Sequence, residues 1–269
     1  IVVEMLDQLL PTEDADVVRV VERRFTSRGG EVLTQAKAKS CTLQGDKATV
    51  VVEHAGKERS IEADNVLVAV GFRPNSKGLG LEEIGVKLDE RGHVLTDDKL
   101  QTNVPGVYAI GDVSGAPYLA HKATKEGETA AEIIAGHKSA RDWRVIPAAI
   151  FTDPEIATVG LREKEAKAQG KAIKIGKFPF SVSGRAQAVS ETDGFVKTLI
   201  DAETKAVLGV AIVGPEASDL ISEAAVAIEM CAYAEDVALT IHPHPTLGES
   251  VMESFKHALG EAVHIMNKN

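Results

Sequence analysis

The sequence predicts an α/β chain with an α+β carboxyl-terminal part. Short β-branched runs alternate with amphipathic helical stretches along its length. Of its 269 residues 44% are hydrophobic, the ordinary fraction for a chain that packs a sizeable core. The apolar runs at 65–70 and 107–110 each lead into a glycine turn, as strands do where a sheet edge meets a ligand.

The chain opens on Ile1-Val2-Val3-Glu4, which reads as a strand already under way and makes a fragment the expectation. A helix from about Glu13 to Arg28 follows. Acids lead it, arginines close it and Gly29-Gly30 stops it, an order that complements the helix dipole. Short β pieces come next at 31–34, 38–43 and 48–53. The almost wholly apolar run Asn65 to Val70 is expected as a central strand buried on both faces. A strand is expected over 106–110, then a helix from about Leu119 to Ala135. Beyond Trp143 the pattern gives helices near 161–169 and 218–231, a strand pair at 196–200 and 207–213, and a last helix running to about Met266.

Composition narrows the function classes. The net charge of −10, with no long Lys/Arg run, argues against a nucleic-acid or anionic-membrane surface. Aromatic residues make up 4%, which disfavours stacking on single strands. No apolar stretch approaches a membrane span and no secretory signal is visible, so the cytoplasm is the expected compartment, or the mitochondrial matrix in a eukaryote. The 2 cysteines, Cys41 and Cys231, are too far apart for a Cys-x-x-Cys site, and both read as packed thiols.

Several polar residues sit where chemistry is done. Glu4 ends an apolar strand, the place from which a carboxylate accepts hydrogen bonds from a dinucleotide's ribose hydroxyls; taken alone it also reads as a solvated strand-end acid. Asp112 follows Gly111 directly after a strand, poised for a ligand hydroxyl or simply for a turn. The helix opening near Leu119 would aim its N–H groups at the same crevice. His244 and Glu249 flank Pro245 at the start of the last helix, where a carboxylate one turn in could fix the imidazole tautomer and leave one nitrogen as a base. On spacing alone His242 is an equal candidate. No third ligand accompanies these histidines, so no metal is expected.

In this order the segments resemble the flavoprotein disulfide reductase family. The matching words are Val2-Val3-Glu4-Met5, Val68-Ala69-Val70-Gly71 with Arg73-Pro74-Asn75, Thr102-Asn103-Val104-Pro105, and Tyr108-Ala109-Ile110-Gly111-Asp112. They continue through Leu119-Ala120-His121-Lys122-Ala123, Thr152-Asp153-Pro154-Glu155, Ser183-Gly184-Arg185-Ala186 and His242-Pro243-His244-Pro245-Thr246-Leu247. The likeness spans almost the whole chain. It implies a partial Rossmann-type NAD domain over 1–76, the carboxyl-terminal part of an FAD domain over 77–146 and an αβ dimerisation domain over 147–269.

The same resemblance implies roles for single residues. Glu4 would face the NAD ribose, with Ala38 and Gly71 as backbone contacts to NAD. Asp112 would meet the flavin ribitol and Ala120 would stand beside the isoalloxazine. His244 would be the acid/base oriented by Glu249, serving a redox disulfide on the other subunit of a homodimer. The implied activity is NAD-dependent oxidation of dihydrolipoamide, carried on an acyltransferase or carrier protein, through that disulfide and FAD. Glutathione-type and mercuric reductases and a soluble transhydrogenase are the related alternatives, and a non-catalytic dimerisation module is the other. The glycine-rich turns and the redox cysteine pair of the family have no match here, so the chain alone is expected to be inactive and to hold FAD poorly.

Overall fold

A computed structural model describes residues 1–267. They group into two compact units, one made of Ile1–Leu67 with the chain from Val145 onward, the other of Val68–Arg144.

The first unit begins with β1 (Val2–Val3), α1 (Ala15–Ser27), β2 (Val32–Leu33), β3 (Ala36–Gln44), β4 (Lys47–His54) and β5 (Lys57–Ala63). β1 and β2 pair in parallel, and β3-β4-β5 form an antiparallel meander. The tight turn Gly45-Asp46 joins β3 to β4. β5 went unread in the sequence because Lys57–Ala63 is dominated by charge, at Lys57, Glu58, Arg59 and Glu62, and holds no apolar run. The strand expected at 65–70 does not form. Leu67 is 91% exposed and Val68 and Val70 are exposed with it. A central strand needs a neighbour on each side, and among the described residues no strand pairs with this stretch.

In the second unit α2 (Ala120–Ile134) lies where the sequence placed a helix. The strand expected at 106–110 is reduced to a single bridge between Gln101 and Tyr108. Gly106 takes a positive φ of 79° and breaks the run, while Val107 and Ala109 still pack with Val86 and Val94 in a small core.

The first unit resumes with β6 (Ala148–Ile150), β7 (Glu155–Gly160), α3 (Glu163–Ala168), β8 (Ile173–Pro179), α4 (Gly184–Ala188), β9 (Phe195–Asp201) and β10 (Val207–Gly214). Three helices follow: α5 (Ala217–Glu229), α6 (Ala234–Leu239) and α7 (Glu249–Leu259). The strands build one antiparallel five-stranded sheet in the order β6-β7-β10-β9-β8. Alternation along each strand sorts the side chains to two faces. Val196, Ile200, Val210 and Ile212 point to the face covered by α5, α6 and α7. Phe195, Ala211, Val213 and Ile156 point to the other face, which α1 covers with Val17, Val20 and Val21. Covering both faces explains why β9 and β10 read as unbroken apolar runs.

Ions fasten α1 to this sheet. Lys197 of β9, only 1% exposed, reaches Asp14 at 2.8 Å and Asp16 at 2.6 Å. Asp14 also accepts the backbone N–H groups of Glu163 and Lys164 that open α3. Burial pushes Asp14 and Asp16 up, but Lys197 outweighs it and holds both below the usual carboxylate range. Burial likewise pulls Lys197 down, and the two aspartates more than reverse it.

Two cysteine expectations are overturned. Cys41 and Cys231 are both exposed, because Cys41 sits on a solvated face of β3 and Cys231 lies beyond the end of α5 with a positive φ of 57°. The last helix also stops earlier than expected. It ends at Leu259, where Gly260 adopts the left-handed conformation that closes a helix.

Candidate functional site

The loop 240–248, between α6 and α7, carries both histidines of the His-Pro-His-Pro stretch. Its two rings are in opposite situations. His242 is 7% exposed at its side chain, with Nε2 2.7 Å from Glu223 Oε1 on α5 and Nδ1 2.9 Å from the Thr240 carbonyl. His244 is 78% exposed at its side chain, and among the described residues only its Nδ1 is engaged, 2.9 Å from Glu249 Oε1. Sequence spacing left the two alike. Geometry separates them: His242 has both nitrogens occupied, and His244 keeps Nε2 open to solvent.

Glu249 is the first residue of α7, where the helix dipole favours a carboxylate. Its Oε2 accepts the Thr246 N–H at 2.9 Å, and Thr246 Oγ1 donates to the Pro243 carbonyl at 2.8 Å. One carboxylate thus grips both the ring and the backbone that carries it. Burial pushes Glu249 up, but the Thr246 N–H and His244 outweigh it and hold it below its ordinary value. An anionic partner at Nδ1 makes that nitrogen the donor and leaves Nε2 with a lone pair, the tautomer a base requires.

A further imidazole–carboxylate pair, also on α7, went unread. Glu253, one turn further along α7 and buried, lies 3.2 Å from His264 Nδ1 and accepts the backbone N–H of Val263 at 3.2 Å. The signal was present in the four-residue spacing of Glu249 and Glu253, which puts both carboxylates on one face of α7.

Elsewhere in the first unit, Glu4 follows β1. Its backbone N–H donates to the Leu33 carbonyl and its carbonyl accepts from Ala36, both within 2.9 Å, so Glu4 lies beside the start of β3. Its Oε1 accepts the Leu6 N–H at 2.7 Å. Ala38 lies on β3 opposite Val52, exposed, at a bulge in the β3–β4 pairing.

In the second unit Gly71 is exposed with a φ of 114°. Asp112 is exposed on the short turn Gly111–Ser114, and Ala120 is exposed as the first residue of α2. Buried charge that the sequence reading missed holds this turn. The Gly111 N–H donates to Glu126 Oε2 at 2.7 Å, while Lys122 Nζ donates to the carbonyls of Gly111 and Gly115. Gly111 has a positive φ of 72°, and a Cβ there would stand 3.0 Å from Ala123 Cβ, so the turn presses on α2. Lys122 and Glu126 at helical i,i+4 spacing were the available clue.

Among the described residues no cluster of three metal-ligating side chains occurs, and no helix is long and apolar enough to cross a membrane.

Two family models match the chain. That described as pyridine nucleotide-disulphide oxidoreductase covers residues 1–127, and its dimerisation domain covers 146–255. The dihydrolipoyl dehydrogenase of Geobacillus stearothermophilus is 46% identical over 267 residues, which is 99% of this chain and 57% of the relative. That of Halobacterium salinarum is 48% identical over 268 residues, 99% of this chain and 56% of the relative. The chain therefore spans little more than half the length of these curated relatives. Among solved structures, LpdA of Mycobacterium tuberculosis superposes with a TM-score of 0.86 at 33% identity, covering 94% of this chain and 55% of that one. The flavoprotein disulfide reductase RclA of Escherichia coli, at 23% identity and a TM-score of 0.87, shares the fold over 94% of this chain and 58% of its own.

Proposed function

The chain belongs to the pyridine nucleotide-disulphide oxidoreductase family, and from that premise we propose that it forms the carboxyl-terminal part of an NAD-dependent dihydrolipoamide dehydrogenase. The single observation that carries the proposal is the His244–Glu249 pair, with Nδ1 bonded at 2.9 Å and Nε2 facing outward.

In this reading His244 Nε2 takes the proton from a dihydrolipoamide thiol, freeing a thiolate to attack a disulfide. Nδ1–H stays on Glu249, whose charge stabilises the imidazolium that results. When the proton returns, it goes to the departing cysteine thiolate, so the ring alternates between base and acid. Neither Cys41 nor Cys231 is part of a close pair, so the disulfide comes from other residues of the complete protein, on the second subunit of a homodimer formed through 147–269.

The residues present suit the two cofactors the family implies. Asp112, left exposed on a turn that Glu126 and Lys122 brace, suits a flavin ribitol hydroxyl, and Ala120 gives a small, exposed start to α2 beside the ring. Glu4, with only Oε1 engaged among the described residues, suits the ribose hydroxyls of NAD and opposes a 2′-phosphate. Ala38 and Gly71 would offer backbone to the same nucleotide. Bound FAD would supply the two-electron passage between the enzyme disulfide and NAD⁺. Residues 1–76 and 77–146 then belong to the NAD and FAD domains. The substrate dithiol reaches the site on an acyltransferase or carrier protein.

The test is NADH formation from dihydrolipoamide and NAD⁺ by the complete flavoprotein carrying this chain. His244→Gln is expected to slow it by about a hundredfold or more, NADP⁺ to be a poor substitute, and the 269-residue chain alone to show no turnover. Full activity in His244→Gln would refute the acid/base role, and equal use of NADP⁺ would refute the role of Glu4.

A further inference from the structure

We propose that His242 and Glu223 form a positioning pair that fixes the backbone presenting His244 and Glu249. The inference rests on the acid/base role of His244 proposed above, and it assigns a task to the histidine that this role leaves idle.

The geometry carries it. His242 is joined to two separate parts of the fold: Glu223 in the second turn of α5, and the Thr240 carbonyl just past the end of α6. It also lies beside a third. A Cβ built on Gly248 would stand 3.6 Å from His242 Cδ2, so the ring lies beside the residue that immediately precedes Glu249 and opens α7. α5, the 240–248 loop and the start of α7 therefore meet at one imidazole. α5 is itself anchored on the sheet through Ile221, Ala224 and Ile228, which makes Glu223 a rigid reference point.

The chemistry of the pair agrees with a fixed role. A carbonyl oxygen only accepts hydrogen bonds, and so does an ionised carboxylate. Both ring nitrogens of His242 face such groups, so neither is left open to a substrate. The contact with Glu223 is short, 2.7 Å, and largely shielded on the histidine side. A ring engaged in this way cannot shuttle protons, but it can hold a loop. Loss of the pair would let the His244 backbone drift relative to α7, and a displacement of about 1 Å at an acid/base group costs up to about a hundredfold in rate.

The experiment uses the complete FAD-loaded enzyme. His242→Gln, Glu223→Gln and Glu223→Asp are compared with His244→Gln in dihydrolipoamide oxidation and in electron transfer from NADH to ferricyanide, which needs no thiol proton. His242→Gln and Glu223→Gln are expected to lower kcat with dihydrolipoamide about tenfold to a hundredfold, with KM within about threefold, and to leave ferricyanide reduction unchanged. Glu223→Asp should recover part of the loss. Unchanged kcat in both variants, or equal loss in both assays, overturns the positioning role. A harmless His244→Gln overturns the acid/base reading itself, so the two failures are told apart. Imidazole ¹⁵N spectra of the unmutated enzyme give a readout that needs no variant to fold. A His242 ring N–H protected from solvent exchange supports the pair, and a freely exchanging ring overturns it.

Discussion

The five-stranded sheet and the 65–70 run are both written in apolar, β-branched residues, yet only one of them becomes structure. β9 and β10 are paired on both sides and covered on both faces, by α1 on one and α5 to α7 on the other. The 65–70 run has neither pairing nor cover, and its side chains stand in solvent. The difference teaches that an apolar run states a demand for burial. Whether a strand results depends on neighbours supplied elsewhere, here by residues far away in the chain.

The comparison can be broken at its strongest point. Phe255, wholly buried between α7 and the sheet, is expected to cost about 3–5 kcal/mol on truncation to alanine, read as a drop in the urea midpoint. A loss below about 1 kcal/mol would mean that the sheet's cover is not what holds it.

Next comes the ionic seam. Lys197→Ala strands Asp14 in a buried site and is expected to destabilise by about 3 kcal/mol. The pH dependence has a definite sign. Asp14 and Asp16 are held below their ordinary values, so their contribution is present above about pH 4 and is lost as the pH falls through their folded-state values. Lys197 is raised, so its contribution is present below about pH 10 and is lost as the pH rises through its folded-state value. Denaturant titrations of the parent should show a plateau between these limits, and in Lys197→Met the acid limb should be shallower. An unchanged acid limb in that variant would contradict the seam.

The smallest effect is expected in the other region. Leu67→Ser removes a side chain with almost nothing packed against it, so the stability of the chain should change by no more than about 0.5 kcal/mol. A large loss would place Leu67 in a core.

How much was legible follows the same division. Helices α1 and α5 and the β9–β10 pair could be read because their apolar periodicity matched faces that this chain itself covers. β5 could not, since its mostly charged residues carry no burial signal, and neither could α6, which is too short to establish a period. The His244–Glu249 contact was readable because five residues across a proline at the entry to a helix leave little choice of geometry. The separation of His242 from His244 was not, because it depends on Glu223, which lies on another element. Likewise Glu126 at Gly111 and His264 at Glu253 are meetings that local spacing hints at but only tertiary structure completes.

The central claim is that Glu249 acts through His244, and a double-mutant cycle on the complete enzyme tests it most directly. His244→Gln should lower kcat/KM for dihydrolipoamide by about a hundredfold to ten-thousandfold and Glu249→Gln by less, with the double variant no slower than His244→Gln alone. If the two losses instead multiply, the carboxylate works independently of the ring, and the pair held at 2.9 Å is not the acid/base unit.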